Sequence, residues 1–349
     1  MVRREDLLAK EVEDVEVRGD MTVRELVTAM ASAGGFMASH LARASEILVE
    51  MLSDPECTVM MAFTANIVAT GLRGVIADFV RRGLVDLLVT TGGTVDHDVA
   101  RALGGKYYHG SFSYDDVMLR ELEIHRLGNV LVPVESYGPK VEDFTLRALS
   151  EAVKVKESWA VHELLYFVGR LLRDERSILR QAHLSAVPVF SPGVVDSAFG
   201  TALMLFRESQ RAGGRANFVL DVISDLKAIS DVVFSSERLG ALIVGGGISK
   251  HHVIWWSQFK GGLDYAVYIT TAVEWDGSLS GAQPREAISW GKIKPKARSV
   301  VVYGDATVIL PVILAYAYGE LEARGVRRAR SPALADLADR LRRLVGCGP

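Results

Sequence analysis

Seven short apolar runs limit what this chain can fold into more than any other feature. They are CTVMMAF (57–63), VDLLVTT (85–91), NVLVPV (129–134), VPVFSP (187–192), ALIVGGG (241–247), AVYITTA (266–272) and SVVVYGD (299–305). Each leads into Gly, Ser, Thr or Asp and then into helical periodicity. Val, Ile and Leu without polar alternation is how a strand buried on both faces reads. The segments between the runs are long enough for crossover helices, most clearly Gly71 to Val80 and Phe218 to Ser230. Repeated strand-helix-strand units predict an α/β fold, with a doubly wound, mainly parallel sheet and flanking helices.

The remaining pattern fits around that sheet. Residues 1–20 are charged and poorly patterned, and read as a mobile N-terminal arm. Residues 21–349 read as a single α/β catalytic domain. A helix is predicted from Thr22, where Thr22 and Glu25 fit a capping box. Gly34 and Gly35 interrupt it, and a second helix follows from Met37 to Leu52. Residues 138–185 read as a helical insertion. Near the end, Ser331 and Pro332 open an amphipathic helix.

Composition narrows the function classes. Hydrophobic residues make up 49% of the chain and the net charge is −3. That balance suits a soluble protein with substantial subunit contacts, and offers no basic face for nucleic acid or a membrane. Cys57 and Cys347 are too few for a disulfide framework. The N-terminus lacks the apolar block of a signal peptide. The run from Thr307 to Tyr318 is too short to span a bilayer and contains Pro311. The expectation is a cytoplasmic, reduced protein.

In open α/β sheets, ligands sit beyond the carboxyl ends of the strands. The residues there read TANIVATG (64–71), TGGTVDHD (91–98), SPGVVDSAFG (191–200), GGGISKHH (245–252), TAVEWDG (271–277) and GDAT (304–307). Glycine after a strand admits close backbone approach, and a following helix N-terminus attracts phosphate. GGGISKHH fits that description without the spacing of a dinucleotide fingerprint, so a tight turn explains it equally. His251 and His252 diverge by about 100° on a helix, so at most one faces a site. Asp96, Asp196 and Asp305 read either as ribose or cation ligands or as helix caps.

One connection stands apart. Between the strands ending near Ala272 and starting near Ser299 lie about 26 residues without a clear helix, a length that is usually functional or disordered. Val273, Trp275, Leu279, Ile288, Trp290 and Ile293 give it an apolar frame, so it is expected to be ordered. At its centre is Trp290-Gly291-Lys292. A lysine among aromatic groups is desolvated, which favours the free amine and Schiff-base chemistry; a solvated surface lysine is the plain alternative.

These segments, taken in order and spacing, resemble deoxyhypusine synthase. GGGISKHH, LDYAVYITTAVEWDGSLSGAQPREAISWGKI and YGDA follow that family's core, TANIVATG and TTGGTVDHD match its earlier segments, and EAISWGK is highly specific. The resemblance implies a Rossmann-like fold and a homotetramer with active sites at subunit interfaces. It implies NAD as cofactor, spermidine as donor and the precursor of translation initiation factor 5A as acceptor of an aminobutyl group. It places the catalytic nucleophile on Lys292 and a proton acceptor on His251. Substrate contacts fall on Trp290, Glu286, Gly277, Ser278 and Asp96. Cofactor contacts fall on Ala65, Asn66, Ala69, Thr91, Gly92, Gly93, His97, Asp196, Gly246, Thr271, Ala272, Asp305 and Ala306.

Two clamp aspartates of the eukaryotic pattern fall here on Thr201 and Leu279, and a glutamate pair falls on Asp96 and His97. Asp96, Asp98 and Asp276 are the candidate replacements. The altered clamp keeps open a homospermidine synthase-like transfer to a free diamine, and a non-catalytic NAD-binding paralogue remains a third reading.

Overall fold

The structure is a computed structural model that describes residues 3–214, 218–344 and 346; Cys347 lies outside the described residues. At its centre is a six-stranded sheet with every neighbouring pair parallel. The three-stranded antiparallel and two-stranded sheets lie apart from it.

The N-terminal segment holds α1 (Arg4–Leu7) and then runs along α2 (Val23–Ala33), where Lys10 reaches Ala31 O and Glu13 N–H reaches Ser32 O. Thr22 caps α2 in a reciprocal box with Glu25. The Gly34-Gly35 break leads into α3 (Phe36–Ser53). Next come β1 (Cys57–Phe63), α4 (Leu72–Arg81), β2 (Leu87–Val89) and α5 (Gly92–Ala102).

The crossover from β2 to the next main strand is long. It carries β3 (Tyr108–His109), α6 (Asp116–Glu121), β4 (Ile124–Leu127), β5 (Val130–Pro133), α7 (Gly138–Ala152), β6 (Ser158–Ala160), α8 (Val161–Leu171) and α9 (Ile178–Leu184). After it follow β7 (Val189–Phe190), α10 (Ala198–Ala212), β8 (Val219–Asp221), α11 (Val222–Ser235), β9 (Arg238–Val244) and α12 (Gly247–Ser257). The last elements are β10 (Leu263–Thr270), α13 (Pro284–Ser289), β11 (Ile293–Tyr303), α14 (Ala306–Ala323) and α15 (Ala335–Leu344).

The main sheet runs β11-β10-β9-β1-β2-β7. The chain therefore builds outward from β1 in one direction, returns to β9 beside β1, and builds outward in the other. That is the doubly wound order, with its switch point between β1 and β9. Successive residues of β1 serve opposite faces, as strand geometry requires. Val59, Met61 and Phe63 join a core with α3, α4 and α14, while Met60 and Ala62 join a second core with α11 and α12. The helix-rich stretch 138–185 supplies Val141, Phe144, Leu149, Leu164, Leu165 and Val168 to the first core.

Three elements differ from the expectation. The apolar run 129–134 is not a strand of the parallel sheet. It forms β5, paired antiparallel with β4 across the two-residue loop Gly128-Asn129. Gly128 has φ +61°, which suits a tight hairpin. The stretch from Phe218 is not helical from its start, because residues 219–221 pair with β6 and Asp221 then caps α11. Finally, α14 is longer than the Thr307–Tyr318 run. Its 18 residues are apolar and long enough to cross a membrane by those criteria alone, but Ile309, Leu310, Ile313 and Leu314 are buried in the first core.

The C-terminal segment is fastened under the sheet by one carboxylate. Asp86 is fully buried and accepts from Val59 N–H at 2.8 Å and Ser331 N–H at 3.0 Å, and it forms a two-pronged ion pair with the buried Arg328. Asp86→Ala would leave that guanidinium buried without its partner. It is expected to lower stability by about 3–5 kcal/mol, read as a shift of the urea unfolding midpoint at unchanged slope.

Candidate active site

Two cavities gather the residues of interest. The first opens at the switch point. It has a volume of about 280 Å³ and is lined by Asn66 after β1, Gly245 and Gly246 after β9, Thr271 and Ala272 after β10, and Gly304, Asp305 and Ala306 after β11. Four strand ends thus converge as the fold rule anticipates. Gly245 and Gly247 have φ of +82° and +62°, so the turn into α12 is a glycine turn by conformational need. Gly246 precedes the first turn of α12 without a side-chain cap, leaving backbone N–H groups at the crevice. Asp305 is exposed at the mouth and caps α14 through Thr307 N–H at 2.8 Å.

The second cavity, about 160 Å³, lies over the sheet face between α12, α13 and β10. The chain leaving β10 does not stay at the carboxyl edge. It folds back along the face and enters β11 at the opposite end, where Ile293 pairs with Leu263. Pro284 opens α13, and Gln283 ties the loop to Glu274 and to the Tyr303 hydroxyl. Gly291, at φ +68°, closes α13 in a left-handed turn. Glu286, Trp290 and Lys292 thereby line one cavity, with Lys250 and Leu279 on its walls.

Lys292 is only 9% exposed. Its ammonium lies 5.1 Å from the centre of the Trp290 ring and 6.0 Å from that of Trp255. Among the described residues it has no hydrogen bond or ion pair. His251 stacks on the other indole, Trp255, at 5.6 Å between centroids. Burial, and then the charge of Lys292, hold His251 below its ordinary value of 6.5. His252, one position on, points into the core, where burial depresses it to about 4. Lys250 is likewise desolvated and pushed down to about 8, against the opposing pull of Glu286.

The expected site residues separate into groups. Asn66, Gly246, Thr271, Ala272, Asp305 and Ala306 line the crevice; Glu286, Trp290 and Lys292 line the face cavity. Thr91, Gly92 and Gly93 begin α5, which packs on the 3₁₀ turn 65–69 containing Ala65 and Ala69, and Ala69 is buried. Asp196, Gly277 and Ser278 lie on exposed turns outside both cavities.

Asp96, expected as a substrate contact, is 1% exposed, and its oxygens accept from Ala198 N–H, Phe199 N–H and the Tyr137 hydroxyl. It caps α10 from inside the protein and lines neither cavity. Asp98 is committed in the same way to Arg73, Ser177 and the start of α9. His97 sits between Tyr107 and Tyr137, bonded to the Tyr107 hydroxyl at 2.8 Å, and burial lowers it to about 4. Asp276 is turned onto Ser278 N–H at 2.6 Å.

Three contributors were not anticipated: Trp255, Ser280 and the structural part played by Lys250. Trp255 was readable as the fourth residue beyond His251 on one helix. Ser280, packed against Gly246, had no sequence signal.

Larger hollows serve less well as a site. A 770 Å³ space between residues 13–18 and α2 is lined by charges of both signs and by no strand end. A 410 Å³ apolar groove beside the crevice is bordered by Trp275, which is 85% exposed.

Comparison with known proteins points to one family. The family model described as deoxyhypusine synthase matches residues 25–317. Two archaeal relatives bear the name "Probable deoxyhypusine synthase". That of Ignicoccus hospitalis is 55% identical over 90% of this chain and 97% of its own. That of Sulfurisphaera tokodaii is 49% identical over 91% of this chain and all of its own. A crystal structure from Entamoeba histolytica, described under the same enzyme name, superposes with a TM-score of 0.61 over 92% of this chain and 99% of its own. At 20% identity it speaks to the fold alone.

The coupling between His251 and Lys292 is open to direct test. By proton NMR, the His251 imidazole should titrate below 6.5, and Lys292→Ala should move its midpoint upward by removing a neighbouring positive charge. An unchanged midpoint would show that the two groups do not share one field.

Proposed function

Because the chain belongs to the deoxyhypusine synthase family, we propose that it moves the 4-aminobutyl group of spermidine to one lysine of the translation initiation factor 5A precursor. The group travels as an imine on Lys292, with NAD as cofactor. The observation that carries this reading is the ammonium of Lys292, enclosed by two indoles and free of any counter-ion among the described residues.

The crevice residues suit a dinucleotide. The glycine turn and the N-terminus of α12 would face its phosphates, and Asp305 would face a ribose. When bound, NAD would accept a hydride from the amine carbon and later return it. The chain's own residues do the rest. Glu286 offers a carboxylate to an ammonium end of the substrate, and Trp290 offers a ring face to its charged chain. His251, held neutral at physiological pH, takes the proton released as the amine is oxidised. Lys292 attacks the oxidised carbon, forms the new C–N bond and expels 1,3-diaminopropane. The acceptor lysine then displaces Lys292, which leaves as the free amine, and the imine on the acceptor is the group that the returned hydride would convert to the secondary amine.

Among the described residues, Glu286 is the one carboxylate lining the face cavity, and Leu279 forms part of its wall. A polyamine carries more charge than that. The exposed indoles of Trp290 and Trp275, at 66% and 85% exposure, support completion of the site by a neighbouring copy in a homotetramer. The leucine also keeps a free diamine in view as acceptor, as in homospermidine synthases. A cytoplasmic location accords with substrates of this kind.

The decisive experiment uses spermidine labelled in its butyl carbons, with NAD, followed by borohydride reduction and peptide mass analysis. The label is expected on Lys292, and Lys292→Ala and Lys292→Arg should each abolish the adduct. Normal transfer to the factor by either variant would overturn the assignment. Label appearing on putrescine and not on the factor would select the diamine reading.

A further inference from the structure

We propose that Lys250 is a positioning residue that pins the turn 278–282 against α12, so that the cofactor crevice and the amine cavity share one wall and bind their ligands as a coupled pair. The proposal rests on the functional reading above. It deepens that reading by linking the two cavities through a residue that need not take part in the chemistry.

Lys250 is 2% exposed, yet its ammonium has no carboxylate within ion-pair range among the described residues. It donates instead to Leu279 O and Ala282 O, each at 2.7 Å, and lies 4.3 Å from the centre of the Tyr268 ring. Burying an ammonium without a counter-ion is costly, and an apolar side chain of the same length would fill the space at less expense. The charge is therefore best understood by what it holds.

What it holds is otherwise loose. Within 278–282 the other hydrogen bonds are local: Gly281 N–H and Ala282 N–H to Ser278 O, Gly281 N–H to the Ser278 hydroxyl, and Ser278 N–H to Asp276. Among the described residues, Lys250 makes the two bonds that tie this turn to the rest of the protein. The two bonds bracket Ser280. That residue is pressed on Gly246 so closely that a Cβ there would come within 2.2 Å of its hydroxyl oxygen. Ser280 lines the crevice, whereas Leu279 and Ala282 line the cavity of Lys292. One ammonium thus sets both sides of a wall three or four residues thick. A ligand that seats the wall from one side prepares the other, and such coupling is reciprocal by thermodynamic necessity.

The test measures binding without turnover, using NADH, which cannot accept a hydride from the amine. In the full-length wild-type protein, calorimetry should show that NADH tightens spermidine binding at least about fivefold, and that spermidine tightens NADH binding by the same factor. Lys250→Met keeps the volume and removes the donors. It should weaken both ligands on the order of tenfold to a hundredfold and abolish the coupling, with circular dichroism and assembly size unchanged. Gly246→Ala displaces Ser280 from the crevice side, and should weaken spermidine although residue 246 does not line the amine cavity. A folded Lys250→Met protein with wild-type affinities and intact coupling would overturn the proposal. If that variant does not fold, Gly246→Ala decides: an unchanged spermidine affinity overturns the shared wall. Failure of wild-type protein to form a Lys292 adduct would count against the proposed chemistry, while the binding measurements would still judge Lys250.

Discussion

A parallel sheet buried on both faces has to be wound in two directions, and this requirement shapes everything else in the molecule. Each parallel neighbour needs a crossover, and one hand of crossover dominates. Strands added beyond β1 and strands added beyond β9 therefore send their connections to opposite sides. The loops leaving β1 and β9 part from each other, and the gap between them is the crevice bordered by Asn66 and the glycines at 245 and 246. No side chain needs to carve it.

The second cavity has a different origin. The chain after β10 descends over the sheet face before joining β11 at its far end, and α13 is a short cover laid on that face. The descent places Lys292 at the amino end of a strand, among indoles and away from the edge where such folds usually keep their reactive groups. Among the described residues it also brings two lysines into one small space with a single carboxylate. Lys250 and Lys292 are both buried there, but among those residues the first has two donors taken by carbonyls and the second has none taken. This difference in partners assigns them different work.

Much of this could be read in advance wherever the physics is local. Uninterrupted runs of Val, Ile and Leu marked the strands of the main sheet, the Thr22–Glu25 box marked a helix start, and glycines after β9 marked the crevice. The spacing around Trp290-Gly291-Lys292 carried a family resemblance that the comparisons support. What could not be read depended on distant partners. Asp96 and Asp98 follow a strand end, like ligands, but α9 and α10 supply N–H groups to them from some 80 to 100 residues away. The run at 129–134 looks like a buried strand because apolarity alone does not distinguish a parallel from an antiparallel neighbour; the Gly128-Asn129 pair was the missed clue. Nor does any spacing announce that Ser280 rests on Gly246.

The Asp86 fastening has a bearing on how the protein is made. Two of its partners, Arg328 and Ser331, lie 242 and 245 residues further along the chain, whereas Val59 lies 27 residues before it. While the chain is being synthesised, the centre of the sheet holds a carboxylate meant for a dry interior long before the guanidinium that pairs with it exists. Closure of the fold around β1 and β2 therefore waits for the segment that carries Arg328, and a chain lacking that segment would keep an unmatched charge at its core.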